Sequence, residues 1–172
     1  MDPWLKKVLV NILTITMVLG ICWGILCLCV SCGVKAFAAE LPSITEPCEM
    51  STEELASALK GNLKPYAQDF LNAEEDYQIN ACFLASIAAL ESGWGEHQFK
   101  TNNIFGFGNA EFESIPKCID YVAWFLRKHY INETGRYYRG GTIDAIGKIY
   151  CPDGGEWVRL VKEIYGGMVN EL

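Results

Sequence analysis

The chain has 172 residues, 14 basic and 21 acidic, with 51% hydrophobic side chains and a formal net charge of −7. That length holds one ordinary domain and a short appendage. Only Asp2 among the acids and Lys6, Lys7 and Lys35 among the bases precede residue 40, so the remainder carries about −9 and lacks the basic face that nucleic-acid binding requires.

Lys6 and Lys7 open the chain ahead of "VLVNILTITMVLGICWGILCLCV" (8–30), which is uncharged and has only Asn11, Thr14 and Thr16 as polar members. Its 23 residues, rising about 1.5 Å each, span a ~30 Å hydrocarbon core. Cleaved secretory signals carry apolar regions of about 7–15 residues, so the length favours a retained anchor. The small-x-small stretch "AFA" at 36–38 offers the alternative, cleavage near Ala38 and secretion. Lipid attachment at Cys32 fits less well, because "CVSC" has no aliphatic residue three positions earlier. Two lysines before the run against one after it put the N-terminus inside and the bulk of the chain outside. Residues 1–35 therefore read as signal anchor or signal peptide, 36–50 as a linker containing two prolines, and 51–172 as the domain.

Cys22, Cys27, Cys29 and Cys32 lie in or beside the apolar run and act there as small apolar residues. Cys48, Cys82, Cys118 and Cys151 are widely spaced with no histidine partner nearby, which argues against a zinc site. They read as free, buried thiols. No metal or cofactor is called for. His97 and His129, 32 positions apart, read as surface or rim residues.

Ser51 and Glu54 form an S-x-x-E capping box before Leu55 and Leu59. Pro65 suits the first turn of a second helix that turns Tyr66, Phe70 and Leu71 inward. Residues 79–91 ("INACFLASIAALE") are apolar on nearly every face, which predicts a central helix buried all round. Behind a Ser114 cap, Ile115, Cys118, Ile119, Val122 and Phe125 or Leu126 make one stripe of a helix over 114–126. Similar stripes occur over 142–150 and 155–165, the latter through Trp157, Leu160, Val161 and Ile164, with Gly166 and Gly167 as a stop. No strand-length alternation stands out. The expected fold class is mainly α, a central buried helix wrapped by amphipathic ones.

Helical spacing puts Glu91 on the inward face of Leu84, Ile87 and Ala88, immediately before "SGWG". A carboxyl in apolar surroundings resists ionisation and keeps the proton that a general acid must donate. Trp94 offers apolar cover for that acid or a stacking surface, and Gly93 and Gly95 permit a sharp turn. The plainer alternative is a solvated helix-end glutamate.

"ALESGWG", followed by "NNIFGFG", "CIDYVAWFL" and "YYRGG", resembles the glucosaminidase domains of glycoside hydrolase family 73, bacterial cell-wall hydrolases of the lysozyme-like superfamily. The resemblance spans roughly residues 52–168. It implies a lysozyme-like helical domain that cuts the β-1,4 bond after N-acetylglucosamine in peptidoglycan, with Glu91 as general acid. It also implies that Asn102, Asn103, Phe105, Gly106 and Phe107 form cleft wall, and that Tyr150 of "KIYCPDGGEW" reaches the cleft while Trp157 belongs to the core. "RYYRGG" (136–141) adds Tyr137 and Tyr138 as stacking candidates, or is simply a connecting loop. Members often carry a β-hairpin lobe after the asparagine-glycine motif with a second acid on it. Here only "NAEFE" intervenes, so the lobe is reduced or absent and Glu111 and Glu113 are the candidates for that acid. Glu96 reads as a rim residue. An inverting mechanism needs the second carboxylate about 6.5–9.5 Å away, and the alternative without it is attack by the sugar's own N-acetyl oxygen. A muramidase, a lytic transglycosylase or a catalytically silent wall-binding module on the same scaffold are the other readings. The acidic charge gives no attraction to an anionic wall, which leaves residues 8–30 to hold the domain near its substrate.

Overall fold

A computed structural model of the chain describes residues 41–151 and 154–170; the apolar run 8–30, and with it the anchor or signal reading, lies outside the described residues. In chain order the described elements are α1 (Thr52–Ala58), a 3-10 turn (Gly61–Tyr66), α2 (Ala67–Tyr77) and α3 (Ala81–Ser92). They continue with α4 (Ile115–Leu126), a π turn (Arg127–Ile131), α5 (Ile143–Tyr150) and α6 (Gly154–Asn170), and none of the described residues is in a strand. No helix among the described residues is long and apolar enough to cross a membrane.

Helix α3 is the axis of the fold. Residues 81–89 are buried without exception, as their uniformly apolar or small side chains dictate. Asn80, rather than Ile79, opens it: the Asn80 side-chain oxygen accepts from Phe83 N at 3.0 Å. The same side chain donates to Glu46 O at 2.9 Å, and its own N–H donates to Ile44 O at 2.8 Å. Glu74, from the end of α2, accepts from Ala81 N at 2.7 Å and from Cys48 N at 2.9 Å. Residues 41–50 are therefore no free linker. They form a strap held across the start of α3, with Ile44 and Met50 buried.

Helix α6 packs along α3 and α5, and α2 packs on α3 and α4. The buried stripe of α6 is Trp157, Val161, Tyr165 and Met168, with Leu160 and Ile164 only half-buried. Gly166 and Gly167 do not stop it; the helix runs through both to Asn170. Two interior glycines cost about 1 kcal/mol each relative to alanine, which burial of Tyr165 and Met168 on the same turns offsets. Tyr165 is fully buried, sets its ring edge-on to Phe83 at 6.2 Å and donates its hydroxyl to Pro42 O at 3.1 Å. The Ser51–Glu54 capping box forms in both directions. Pro65 sits within the 3-10 turn that leads into α2. The four cysteines among the described residues are free, Cys82 and Cys118 buried and Cys48 and Cys151 half-buried.

Replacing Asn80 by Ala removes the cap and leaves Glu46 O of the strap without its side-chain donor. Urea denaturation is expected to show a loss of about 2 kcal/mol in unfolding free energy. A loss below about 0.5 kcal/mol, typical of an exposed surface site, would contradict the strap's role.

Candidate active site

Helix α3 ends where a carboxylate becomes useful. Gly93 takes the left-handed conformation (φ 56°) and its N–H bonds Ala89 O, closing the last turn. Buried Ser92 holds the turn that follows: its Oγ donates to Ala88 O at 2.6 Å and accepts from Gly95 N at 2.9 Å. The helix thus terminates in a fixed direction, one residue beyond Glu91. Burial along α3 fades at Leu90, and Glu91 itself is exposed, not on the inward face that helical spacing suggested.

Its carboxylate is nonetheless held against protein on two sides. Trp157 Nε1 donates to Glu91 Oε1 at 2.8 Å. On the other side Glu91 Oε2 lies against the backbone of Gly106, where a Cβ would come within 3.0 Å. Gly106 has φ 58°, a conformation that favours glycine, and an added Cβ there would crowd Oε2. Protein packed around the carboxyl raises its pKa above the ordinary glutamate value, while the Trp157 hydrogen bond pulls it partly back. Those two influences account for the shift, with no acidic neighbour contributing. Glu91 keeps its proton to higher pH than a solvated glutamate and faces open space.

The stretch Asn102–Ala110 forms the wall beside it. Asn103 is buried, and its side-chain hydrogen bonds stay inside the loop: Oδ1 accepts from Phe107 N at 2.9 Å, and Nδ2 donates to Phe107 O at 3.3 Å and Ala110 O at 3.0 Å. Asn102, at φ 56°, donates from Nδ2 to Phe112 O at 2.9 Å and Glu113 O at 3.1 Å. Phe105 is fully buried. Asn103 and Phe105 therefore shape the loop rather than touch a ligand, and Asn102 ties its two ends. Tyr150 pins the loop from α5, donating its hydroxyl to Phe105 O at 3.0 Å. That hydroxyl has its proton committed, and desolvation followed by the nearby Glu91 charge pushes its pKa well up. Gly147, one turn earlier on α5, lacks a Cβ that would collide with Trp157 and Val158, so α6 seats closely and brings Trp157 to the carboxylate.

Phe107, Gly108, Asn109, Ala110, Phe125, Tyr130, Tyr137 and Ile149 line an open hollow of about 620 Å³ that begins one residue beyond Gly106. Its aromatic rings are in mutual contact, Phe107 with Phe125 at 4.9 Å and Tyr130 with Tyr137 at 5.1 Å. The series continues to the carboxylate through Tyr150, 6.3 Å from Tyr130 and 5.1 Å from Trp157. A hollow of this size and lining suits a ligand with apolar faces and few polar anchors.

Other expected site residues lie elsewhere. Trp94 lines a separate hollow with Ala58, Lys60, Glu163, Ile164, Gly167 and Met168, its ring 5.4 Å below Lys60 Nζ. Its backbone is left-handed (φ 62°), which turns the side chain toward that hollow; the tryptophan beside the acid is Trp157. Tyr138 is half-buried beside Gly141 and does not line the aromatic hollow. Glu111 and Glu113 are exposed, as is Glu96, and among the described residues none has a hydrogen-bond partner for its carboxylate. His97 is exposed, and the half-buried His129 ring lies tilted against Phe125 with centroids 4.6 Å apart. The reading of Trp157 as core holds for its burial and misses its hydrogen bond. A buried indole N–H needs an acceptor, and that requirement was the available signal.

Comparison with known proteins bears on this geometry. Residues 67–166 match the glucosaminidase family, described as mannosyl-glycoprotein endo-beta-N-acetylglucosaminidase. Two provisionally named endo-beta-N-acetylglucosaminidases, from two strains of Streptococcus pneumoniae, are each 31% identical over 127 residues. The matches cover 64% of this chain and 19% and 18% of the relatives, so the chain spans about a fifth of the length of these curated proteins. Among solved structures, a catalytic mutant of S. aureus autolysin E in complex with the disaccharide NAG-NAM superposes with a TM-score of 0.65. It is 21% identical, with 75% of this chain and 71% of that one covered. Autolysin E in complex with the muropeptide NAM-L-Ala-D-iGlu gives a TM-score of 0.55 at 22% identity, covering 75% and 72%. At these identities the likeness establishes the fold.

The indole N–H stabilises the ionised form of Glu91, so its removal shifts the balance toward the acid. Trp157→Phe is expected to raise the pKa of Glu91 further, read from the side-chain carboxyl carbon by NMR titration. A pKa that is unchanged or lower in the variant would contradict the assigned hydrogen bond.

Proposed function

The chain belongs to the glucosaminidase family, and on that premise we propose that it hydrolyses peptidoglycan glycan strands at the β-1,4 bond after N-acetylglucosamine, with Glu91 as the general acid. The carrying observation is the Glu91 carboxyl: raised in pKa, oriented by Trp157 and open to solvent beside an aromatic hollow. The peptidoglycan fragments bound to autolysin E, which shares the fold, support the same substrate class.

In this reading Glu91 gives its proton to the glycosidic oxygen as the C1–O bond breaks. On this reading the second role falls to the substrate, and the solvent-exposed Glu111 and Glu113 take no part. The oxygen of the N-acetyl group bonds to C1 as the leaving sugar departs. Water then attacks C1, the N-acetyl group is restored, and the proton lost by water returns to Glu91. Gly106 leaves room for the glycosidic oxygen to reach Oε2. Tyr150 acts by holding Phe105, and hence Gly106, in place. The same single acid favours one second reading, a lytic transglycosylase or muramidase, in which the alternate bond is cut. In the transglycosylase case a hydroxyl of the same sugar replaces water as the attacking group.

We further propose that the domain works outside the cell membrane, tethered through residues 8–30 or released after cleavage near Ala38; the uncharged length of that run supports the tether. The catalytic domain then begins at Leu41, because the strap 41–50 packs with it.

Glu91→Gln keeps the shape and removes the transferable proton. It is expected to lower lysis of cell wall by about 10²–10⁴-fold in a zymogram, and clearing equal to wild type would overturn the assignment. Activity requires the protonated form, so it falls as pH rises through the Glu91 pKa, above the ordinary glutamate range. Gly106→Ala places a methyl on Oε2 and strains the backbone by about 1–2 kcal/mol. Steady-state assays on soluble glycan are expected to show turnover at least about tenfold lower, and unchanged turnover would contradict the contact.

A further inference from the structure

Helix α4 buries Ile115, Cys118, Ile119, Val122, Ala123 and Leu126, which completes its share of the core. Its outward face nonetheless presents Tyr121 and Trp124, 40% and 37% exposed. Three positions apart on a helix, they stand side by side with ring centroids 5.5 Å apart. Neither is required for burial, yet both are continuous with the hollow beside Glu91. Phe107 and Phe125 line that hollow, and Tyr121 meets them at 5.6 Å and 6.3 Å, the Phe125 pair nearly parallel. Phe112 closes the flank of Tyr121 at 5.7 Å, and Lys128 Nζ sits 4.7 Å over the Trp124 ring.

We propose that Tyr121 and Trp124 form a shelf that extends the cleft outward and stacks successive sugars of the same glycan strand, beyond those that flank Glu91. The inference rests on the glycosidase reading of the site. A pyranose offers a flat C–H face with no net charge, and an exposed aromatic ring matches it in size and polarity. The chain carries a net charge of −7, so such faces serve a long saccharide better than overall attraction between charges does. A glycan strand is longer than the hollow, and Phe107 leads directly from hollow to shelf. Lys128 fixes the Trp124 ring from one side and offers its ammonium to a carboxylate of a stem peptide carried by the stacked sugar.

The test uses the full chain and peptide-free peptidoglycan glycan strands separated by length, with the ratio of cleavage rates on long and short strands as the readout. Wild type is expected to favour long strands. Trp124→Ala and Tyr121→Ala should each lower the ratio by about tenfold, while Trp124→Phe, which keeps an aromatic face, retains most of it. A ratio is independent of how much of each variant is folded. Equal ratios in wild type and both alanine variants would overturn the shelf and leave the glycosidase reading standing. Cleavage of neither strand class by wild type would overturn both.

Discussion

The hydrogen bond from Trp157 to Glu91 is the constraint on which the site depends. It joins the end of the central helix to the last helix of the chain, across 66 positions of sequence. An exposed glutamate at a helix terminus would ordinarily sample many rotamers and titrate as in water. Here one oxygen is fixed by the indole and the other lies beside Gly106, where an added Cβ would crowd it at 3.0 Å. The result is an acid whose direction is set by covalent and packing geometry and whose opposite side remains free for a ligand. Burial and the hydrogen bond act on its proton in opposite senses, and burial prevails.

Everything around that pair serves to hold it. Ser92 and Gly93 stop α3 at the required residue. Asn103, with three hydrogen bonds to backbone partners, holds the loop beside the acid without strands to support it. Tyr150 holds that loop from α5 through Phe105 O. A chain that lacks the hairpin lobe often found at this point can still present a defined wall, because side-chain hydrogen bonds replace the missing ladder.

What was legible in the sequence follows from which forces act locally. The central helix, its apolar stripes and the Ser51 and Ser114 caps follow from helical spacing and short-range hydrogen bonding, and the structure keeps them. Glu91 was singled out as the acid by its place before two glycines, yet its exposure was not, because the helix ends before the next turn would have buried it. Trp94 is the nearer tryptophan in sequence, a candidate to cover the acid or to stack on a ligand; in the structure it lines a separate hollow. Trp157 reaches the acid only through the close packing of α5 and α6 over Gly147, a tertiary fact with no local signature. Asn103 and Phe105 belong to the right motif and play structural parts within it. The strap 41–50 looked like a linker because its partners, Glu74, Asn80 and Tyr165, lie far along the chain. Glycines 166 and 167 looked like a stop because the burial of Tyr165 and Met168 cannot be read from propensity.

The central claim is that one acid, Glu91, cleaves the bond that follows N-acetylglucosamine. Mass spectrometry of borohydride-reduced peptidoglycan digests tests it most directly, with wild type and Glu91→Gln run in parallel. The account predicts reduced glucosamine ends from wild type and none above background from the variant. Reduced muramic ends, anhydro ends, or glucosamine ends produced equally by the variant would contradict it.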